Sequence, residues 1–472
     1  MHAMSRREFI RVSTLAAAAS VAAACVPATA TPSPAGQPTA DPAQSSAVPA
    51  VPSSVPAAPS GRFSEAPTLA EKVAAGELPP VEERLPENPS IYPCYEMIGK
   101  YGGTMRRGFD GVTDRTGPVK VLNVSLIHFN TDLSYRADVC ESWEKSDDAT
   151  AYTIHLRRGM KWSDGAPFDA SAFSFYWQYE AMDPNVNSVV PERIRTGEPP
   201  VAATLEVVDD YTIIVRFAHP NPLFMDRLSR SEIFTPGHYM KQFHMDLTDD
   251  KAALEAQVKA AGLNSWGEYY LDRNNWWANT ERPSIAAWLA QNDLTSELFV
   301  ADRNPYFFAT DPEGQQLPYI DRVTHRLFDK SEVFHLWILN GEIDFQHRHV
   351  ELANYGLLKD GEAKGGYRVT KLYGGDGATM YVNQNCRDER IAEFAQNRNC
   401  RIAMNLAMNR EEVNELVYDG LATIRQASPI QQSPHYHEAA SKAYIEYDPD
   451  EANRLLDEAG YTERNAEGYR LW

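Results

Sequence analysis

Short stretches of alternating polarity, separated by well-capped helical stretches, set the limits on what this chain can fold into. "TAYTIHLRRG" (150–159) and "ATLEVVDDYTIIVRFAHP" (203–220) alternate apolar and polar residues with period two, the second turning at Asp209-Asp210. Successive side chains of a strand point to opposite faces, so this period predicts half-buried strands. Other stretches carry helix boundaries. "DDKAALEAQVKAAG" (249–262) predicts a helix that stops at Gly262. "NREEVNELVYDG" has Asn409 as N-cap, Glu412 at the third position and Gly420 just past the end; "DPDEANRLLDEAG" has Asp448 as cap, Pro449 first, Glu451 third and Gly460 as stop. Strands and helices that alternate over a long chain argue for an α/β protein with more than one lobe.

The chain has 472 residues, more than one hydrophobic core accommodates, so two or three lobes are expected. A hydrophobic fraction of 43% is enough for a sizeable core. The formal net charge of −20 repels nucleic-acid phosphate and anionic lipid, so no nucleic-acid partner is expected. Beyond residue 24 no apolar run of eighteen residues occurs, and nothing there could span a bilayer.

The first residues read as an address. Ser5-Arg6-Arg7-Glu8-Phe9-Ile10-Arg11, followed by an Ala-rich apolar stretch, resembles a twin-arginine export signal. Cys25 after Val21-Ala22-Ala23-Ala24 resembles a bacterial lipoprotein box, with Ala22 where leucine is usual, and makes Cys25 the expected lipidation site. Simple cleavage after Ala22-Ala23-Ala24 is the alternative. Residues 1–25 are therefore expected to be a signal peptide. Residues 26–62 are Pro, Ala, Ser and Thr with almost no bulky apolar residue, a composition that cannot bury enough surface to fold; a semi-extended tether is expected. Export permits disulfides, and Cys386 with Cys400 is the local candidate pair; free thiols at Cys94, Cys140, Cys386 and Cys400 are the alternative. No C-x-x-C occurs, so neither a zinc ribbon nor a redox motif is supported.

Motifs for catalysis are sparse. There is no G-x-S-x-G elbow, no H-E-x-x-H helix and no Walker loop. Carboxylates are plentiful, which keeps an exported hydrolase open as a reading of another class. His347-Arg348-His349 and His435-Tyr436-His437 place two imidazoles on one side of an extended segment, where either pair could grip a metal, although neither has the nearby Cys or acidic ligands to complete a metal's coordination, and surface or rim histidines are the preferred reading. Residues 264–292 carry Trp266, Tyr269, Tyr270, Trp276, Trp277 and Trp288. Such flat rings suit a half-wet pocket for sugars or peptides, but a core or lobe-packing segment is the preferred reading.

Several stretches, in order, resemble the extracellular solute-binding proteins of family 5, which serve ABC importers of oligopeptides, dipeptides, nickel and some oligosaccharides. The stretches are Glu141-Ser142-Trp143, Ser146-Asp147-Asp148, Leu156-Arg157, Gly159, Trp162 to Gly165 and Pro167-Phe168. Further matches are "RNPYFFATDPEGQQLPYIDRV" (303–323), "LNGEIDF" (339–345), "MYVNQN" (380–385), "CRIAMNLAMNREEV" (400–413) and "YDPDEANRLLDEAGY" (447–461). Ala172 stands where the family often has an acidic residue, and Cys400-Arg401 where valine-arginine is common.

The resemblance implies an α/β periplasmic-binding-protein fold of the second type, with two main lobes and a small appended subdomain. Lobe I would begin at 63–135, the subdomain occupy 136–225, and lobe I resume over 226–370 with the aromatic-rich insertion. The distal lobe would fill 371–472 and be incomplete, since family members continue past the "DEAGY" helix; ready proteolysis beyond about residue 372 is expected on that reading. The function implied is capture of an extracytoplasmic solute, a peptide or oligosaccharide, by lobe closure, and its delivery to an ABC permease, without catalysis and without a cofactor. A nickel or metal-chelate binder is the alternative. The implied pocket residues are Phe109 and Asp110 in "RRGFDG", Gln346 and His347 after "GEID", and Tyr381 and Asn383 on the expected hinge strand "MYVNQN". The stretch 155–177 is expected to be scaffold: Trp162 and Phe168 pack, Asp169 starts a helix, and Arg157 and Arg158 point to solvent or a neighbouring carboxylate.

Overall fold

The two alternating stretches become neighbours in one sheet. In the computed structural model, which describes residues 61–471 apart from 278, 373–376 and 378, strand Ala151–Leu156 pairs antiparallel with both Cys140–Lys145 and Thr212–Arg216. Thr204–Asp209 adds the outer strand, across a turn in which the Asp209 carboxylate accepts from the Tyr211 N–H at 2.8 Å. The register places Ile213 opposite Ile154 and Val215 opposite Tyr152, so the apolar half of each alternation faces the same way. All four are fully buried. Helix Ala170–Tyr176 packs on that face, started by Asp169, whose side chain accepts from the Ser171 N–H at 2.9 Å. Trp162, Phe168, Phe173 and Phe234 meet there edge to face, with ring centroids 5.2–6.2 Å apart. The packing roles expected of Trp162 and Phe168 hold.

A second sheet draws on distant parts of the chain, in the order Trp288–Ala290, Leu298–Arg303, Arg322–Leu327, Thr104–Phe109. Its last pair is parallel and aligns Leu327 with Phe109. Parallel neighbours need a long crossover, here supplied by everything between residues 109 and 322. Phe109, Phe299, Ala301, Leu294 and Leu122 form the core beneath it, Leu122 coming from helix Thr116–Leu122.

The capped helices form where their boundaries predict. Lys251–Ala260 follows Asp250, and Arg410–Tyr418 follows Asn409, whose side chain accepts from the Glu412 N–H at 3.1 Å. Pro449–Glu458 follows Asp448 and packs Ala452 and Leu455 against Ala403 and Leu406 of helix Arg398–Leu406. Gly262 and Gly420 sit just past two of these ends with φ of 71° and 69°, a conformation costly for residues with a Cβ.

Of the two surroundings expected for Arg157, the neighbouring carboxylate is the one found: it is 6% exposed, lies beside Asp138, and donates to the backbone carbonyls of Asp138 and Asn88 at 2.7 and 2.6 Å. Arg158 does lie at the surface, over the Tyr211 ring. Two other expectations need correction. "MYVNQN" is not a strand, because no partner strand lies alongside it among the described residues. Cys386 and Cys400 are not bridged; they are free, as are Cys94 and Cys140. Cys400 is buried within helix Arg398–Leu406, which fixes its direction, while Cys386 lies outside any helix or strand. The export signal, Cys25 and residues 26–60 of the tether lie outside the described residues.

Candidate solute-binding cleft

Residues between helix Trp266–Asn274 and strand Trp288–Ala290, in irregular backbone, line a cleft. Such backbone needs its polar groups satisfied by side chains. Asn279, 5% exposed, does part of this by donating to the Arg273 carbonyl at 2.7 Å. Ser163 and Ser284 tie the segment to the 163–165 turn: the Ser163 N–H donates to the Ser284 carbonyl at 2.9 Å, and the Ser284 N–H to Ser163 Oγ at 3.0 Å.

The resulting cleft holds about 330 Å³. Trp276, Trp277 and Trp288 form its aromatic walls, and Asp164, Glu232 and Arg282 bring charge to it. All three tryptophans are half-buried. Trp276 and Trp277 stand nearly perpendicular with centroids 5.3 Å apart, and the Arg115 guanidinium lies 5.1 Å from the Trp277 centroid. Trp288 is oriented by its Nε1–H, which donates to the Ile320 carbonyl at 3.0 Å. Asp164 is held by His238 Nε2 at 2.8 Å. Rigid aromatic faces with a few oriented polar groups make a binding surface for a small ligand.

None of the six residues expected in the pocket lines this cleft. Phe109 is fully buried in the core of the second sheet, edge-on to His325, so its ring packs and presents nothing to a ligand. Gln346 clamps the edge of strand Thr104–Phe109: its Oε1 accepts from the Gly108 N–H at 3.3 Å, and its Nε2 donates to the Gly108 carbonyl at 3.2 Å. Asp110 and His347 are exposed at the same end of that strand. Burial lowers the His347 pKa, assisted by the nearby cations Lys120, Arg348 and Arg107. Tyr381 and Asn383 lie apart from the cleft; Tyr381 is 89% exposed, and Asn383 Oδ1 accepts from the Asn385 N–H.

Neither histidine pair acts as a pair. His349 Nε2 meets the buried Asp114 carboxylate at 2.6 Å, with Asp110 4.0 Å from its Nδ1. These three side chains could together hold a cation, although Arg348 already neutralises Asp114 at 2.5 Å. His437 caps helix Glu438–Ser441 through the Ala440 N–H.

The aromatic density of residues 264–292 points to the segment that carries the cleft, and the packing preferred for it holds for much of it. The structure divides the segment. Tyr270 is core and Trp266 packs on His244, whereas Trp276, Trp277 and Trp288 both pack against the core of the second sheet and line the cleft. The 155–177 stretch divides as well: Trp162 and Phe168 are scaffold, while Ser163 and Asp164 line the cleft.

The chain thus combines a mixed α/β architecture with an aromatic, partly charged cleft. Residues 134–471 match the profile of the bacterial extracellular solute-binding proteins, family 5, and the chain belongs to that family. It is 25% identical over 452 residues to the periplasmic alpha-galactoside-binding protein of Rhizobium meliloti, covering 86% of this chain and 61% of that protein. A solved oligopeptide-binding protein OppA superposes with a TM-score of 0.70 at 37% identity, covering 87% of this chain and 65% of the other. The periplasmic binding protein MelB of Agrobacterium fabrum, solved with stachyose, superposes with a TM-score of 0.63 at 24% identity, over 86% and 63% of the two chains. The chain thus spans less than two thirds of the length of each of these relatives.

Proposed function

We propose that the protein is the substrate-binding component of an ABC importer, taking a peptide or oligosaccharide outside the cytoplasm and passing it to a permease without chemical change. The observation that carries this reading is the tryptophan-walled cleft within a family 5 fold. Capture by closing lobes, with the domain limits given above, belongs to the same reading. So does attachment to the membrane through a lipid on Cys25; among the described residues no helix is long and apolar enough to cross a membrane.

Calorimetric titration of neutral oligosaccharides, short peptides and nickel tests the reading, with Trp277→Ala as the probe of the cleft. A ligand that the wild type binds and returns intact, and that Trp277→Ala binds at least tenfold more weakly, supports it. Hydrolysis of the ligand would favour an exported hydrolase. Nickel binding lost in His349→Ala but kept in Trp277→Ala would favour the metal reading, for which the Asp110–Asp114–His349 group is the specific support.

A further inference from the structure

The tryptophan cleft shares Asn123, Glu232, Asn274 and Arg282 with a second cavity of about 280 Å³. Charged side chains from well-separated parts of the chain converge there. Glu180 stands on the turn Trp177–Ala181, which is π-helical, and turns this wide recur at functional sites. Arg193, Glu232 and Arg282 complete the charged ring. Burial raises the pKa of both carboxyls, opposed chiefly by the Thr235 hydroxyl and Arg282 at Glu180 and by Arg282 at Glu232.

The hydrogen bonds inside the cavity are only partly taken. Glu180 Oε2 accepts from Thr235 Oγ1 at 2.7 Å, Asn274 Nδ2 at 3.0 Å and the Tyr270 hydroxyl at 3.3 Å. No hydrogen bond from a described residue reaches Glu232. Arg193 Nη2 donates to the Tyr176 hydroxyl, while its Nε is buried without a partner. Arg282 uses Nε on Asn274 Oδ1 at 2.7 Å and Nη1 on the Pro283 carbonyl at 3.2 Å, which leaves Nη2 available. Buried polar groups left in this state call for a partner.

That partner must donate to a carboxylate and accept from guanidinium N–H groups within one small volume. Two carboxylates and two guanidiniums cancel, so a charged ligand would lose its hydration without a net opposite charge in return. Arg193 and Arg282 each commit some of their five N–H groups to protein acceptors and keep others for a ligand. A hydroxyl both donates and accepts and carries no charge. The adjoining tryptophan faces supply the apolar surface that a ring with such hydroxyls needs.

Resting on the cleft's role in solute capture, we infer that the Glu180–Arg193–Glu232–Arg282 cavity receives one end of a neutral saccharide. Adjacent ring hydroxyls donate to Glu232 and accept from Arg282 and Arg193. These side chains would then select a saccharide over a peptide.

The test is isothermal titration of the full chain with stachyose and with trialanine, for the wild type, Glu232→Gln, Arg282→Lys and Trp277→Ala, each first shown by its melting temperature to be folded. Stachyose should bind and trialanine should not. Both cavity variants should weaken stachyose roughly tenfold or more, the scale of one lost hydrogen bond to a charged group. Stachyose affinity within twofold of wild type in both cavity variants, but lost in Trp277→Ala, would overturn the cavity's role and leave the cleft standing. Trialanine binding that depends on Trp277, with stachyose inert, would overturn the saccharide class and keep solute capture. Ligand binding untouched by Trp277→Ala would overturn the cleft reading itself.

Discussion

Arg157→Met offers a stringent test of how the chain is held together, because the side chain is buried beside a carboxylate and not at the surface, the other place expected for it. Its guanidinium is 6% exposed and donates to the carbonyls of Asp138 and Asn88, joining the first sheet to the segment that precedes it. Methionine has similar reach and no donors. The substitution leaves two carbonyls unpaired and removes a cation from beside the buried Asp138 carboxylate, whose remaining partners include Ser90 Oγ at 3.2 Å, His128 Nε2 at 3.1 Å and the Tyr92 hydroxyl. Hydrogen bonds from charged groups contribute about 1.5–3 kcal/mol each, so two of them give a loss of about 3–6 kcal/mol. That range overlaps the roughly 3–5 kcal/mol typical of removing one partner from a buried charged arrangement. The melting temperature should fall on the order of 10 °C. Arg157→Lys, able to reach one carbonyl but not both, should recover about half of the loss. Urea unfolding followed by far-ultraviolet circular dichroism measures both variants. A value for Arg157→Met within about 1 kcal/mol of wild type would refute the reasoning, since an arginine in solvent contributes on that small scale.

Burial drives the His325 pKa down to about 3, with Arg107 assisting; the unfolded imidazole takes up its proton near pH 6.5 and the folded one resists. Stability should therefore be full above about pH 6.5 and decline as the pH falls toward 3, by about 2 kcal/mol at pH 5; urea midpoints at pH 7 and 5 should differ less in H325L, and an unchanged difference would count against the assignment. Cys94, Cys140, Cys386 and Cys400 should all alkylate after denaturation without reductant, and a Cys386–Cys400 bridge found by mass spectrometry would refute that. Limited proteolysis should cut first within 377–388, where no described residue lies in a helix or strand until Glu389 and Tyr381 is 89% exposed; first cleavage inside the 140–216 sheet would contradict this.

What could be read without coordinates was local chemistry. Asn409, Asp448 and Asp169 cap helices because a short acceptor side chain meets an N–H two or three residues on, within the reach of the sequence itself. The strands at 151–156 and 212–216 follow from a period-two pattern with one buried face. The candidate site was less legible. Phe109 was expected in the pocket for its place in a motif, yet position along a strand does not say which face meets core, and the parallel pairing with 322–327 turned it inward. "MYVNQN" has strand composition but no partner, and a strand without one leaves its hydrogen bonds to water.

Sequence alone determined the α/β class, the helix limits, the absence of common catalytic motifs and the family. Tertiary structure decided which aromatic residues face a ligand. Tyr270 and Trp277 are seven positions apart and similar in chemistry, yet one is fully buried and the other walls the cleft. It also decided that Glu180, Arg193, Glu232 and Arg282 would meet at all. Caps and strand periods are satisfied by neighbours a few residues away, whereas a cavity is defined by what comes from elsewhere in the chain to close it.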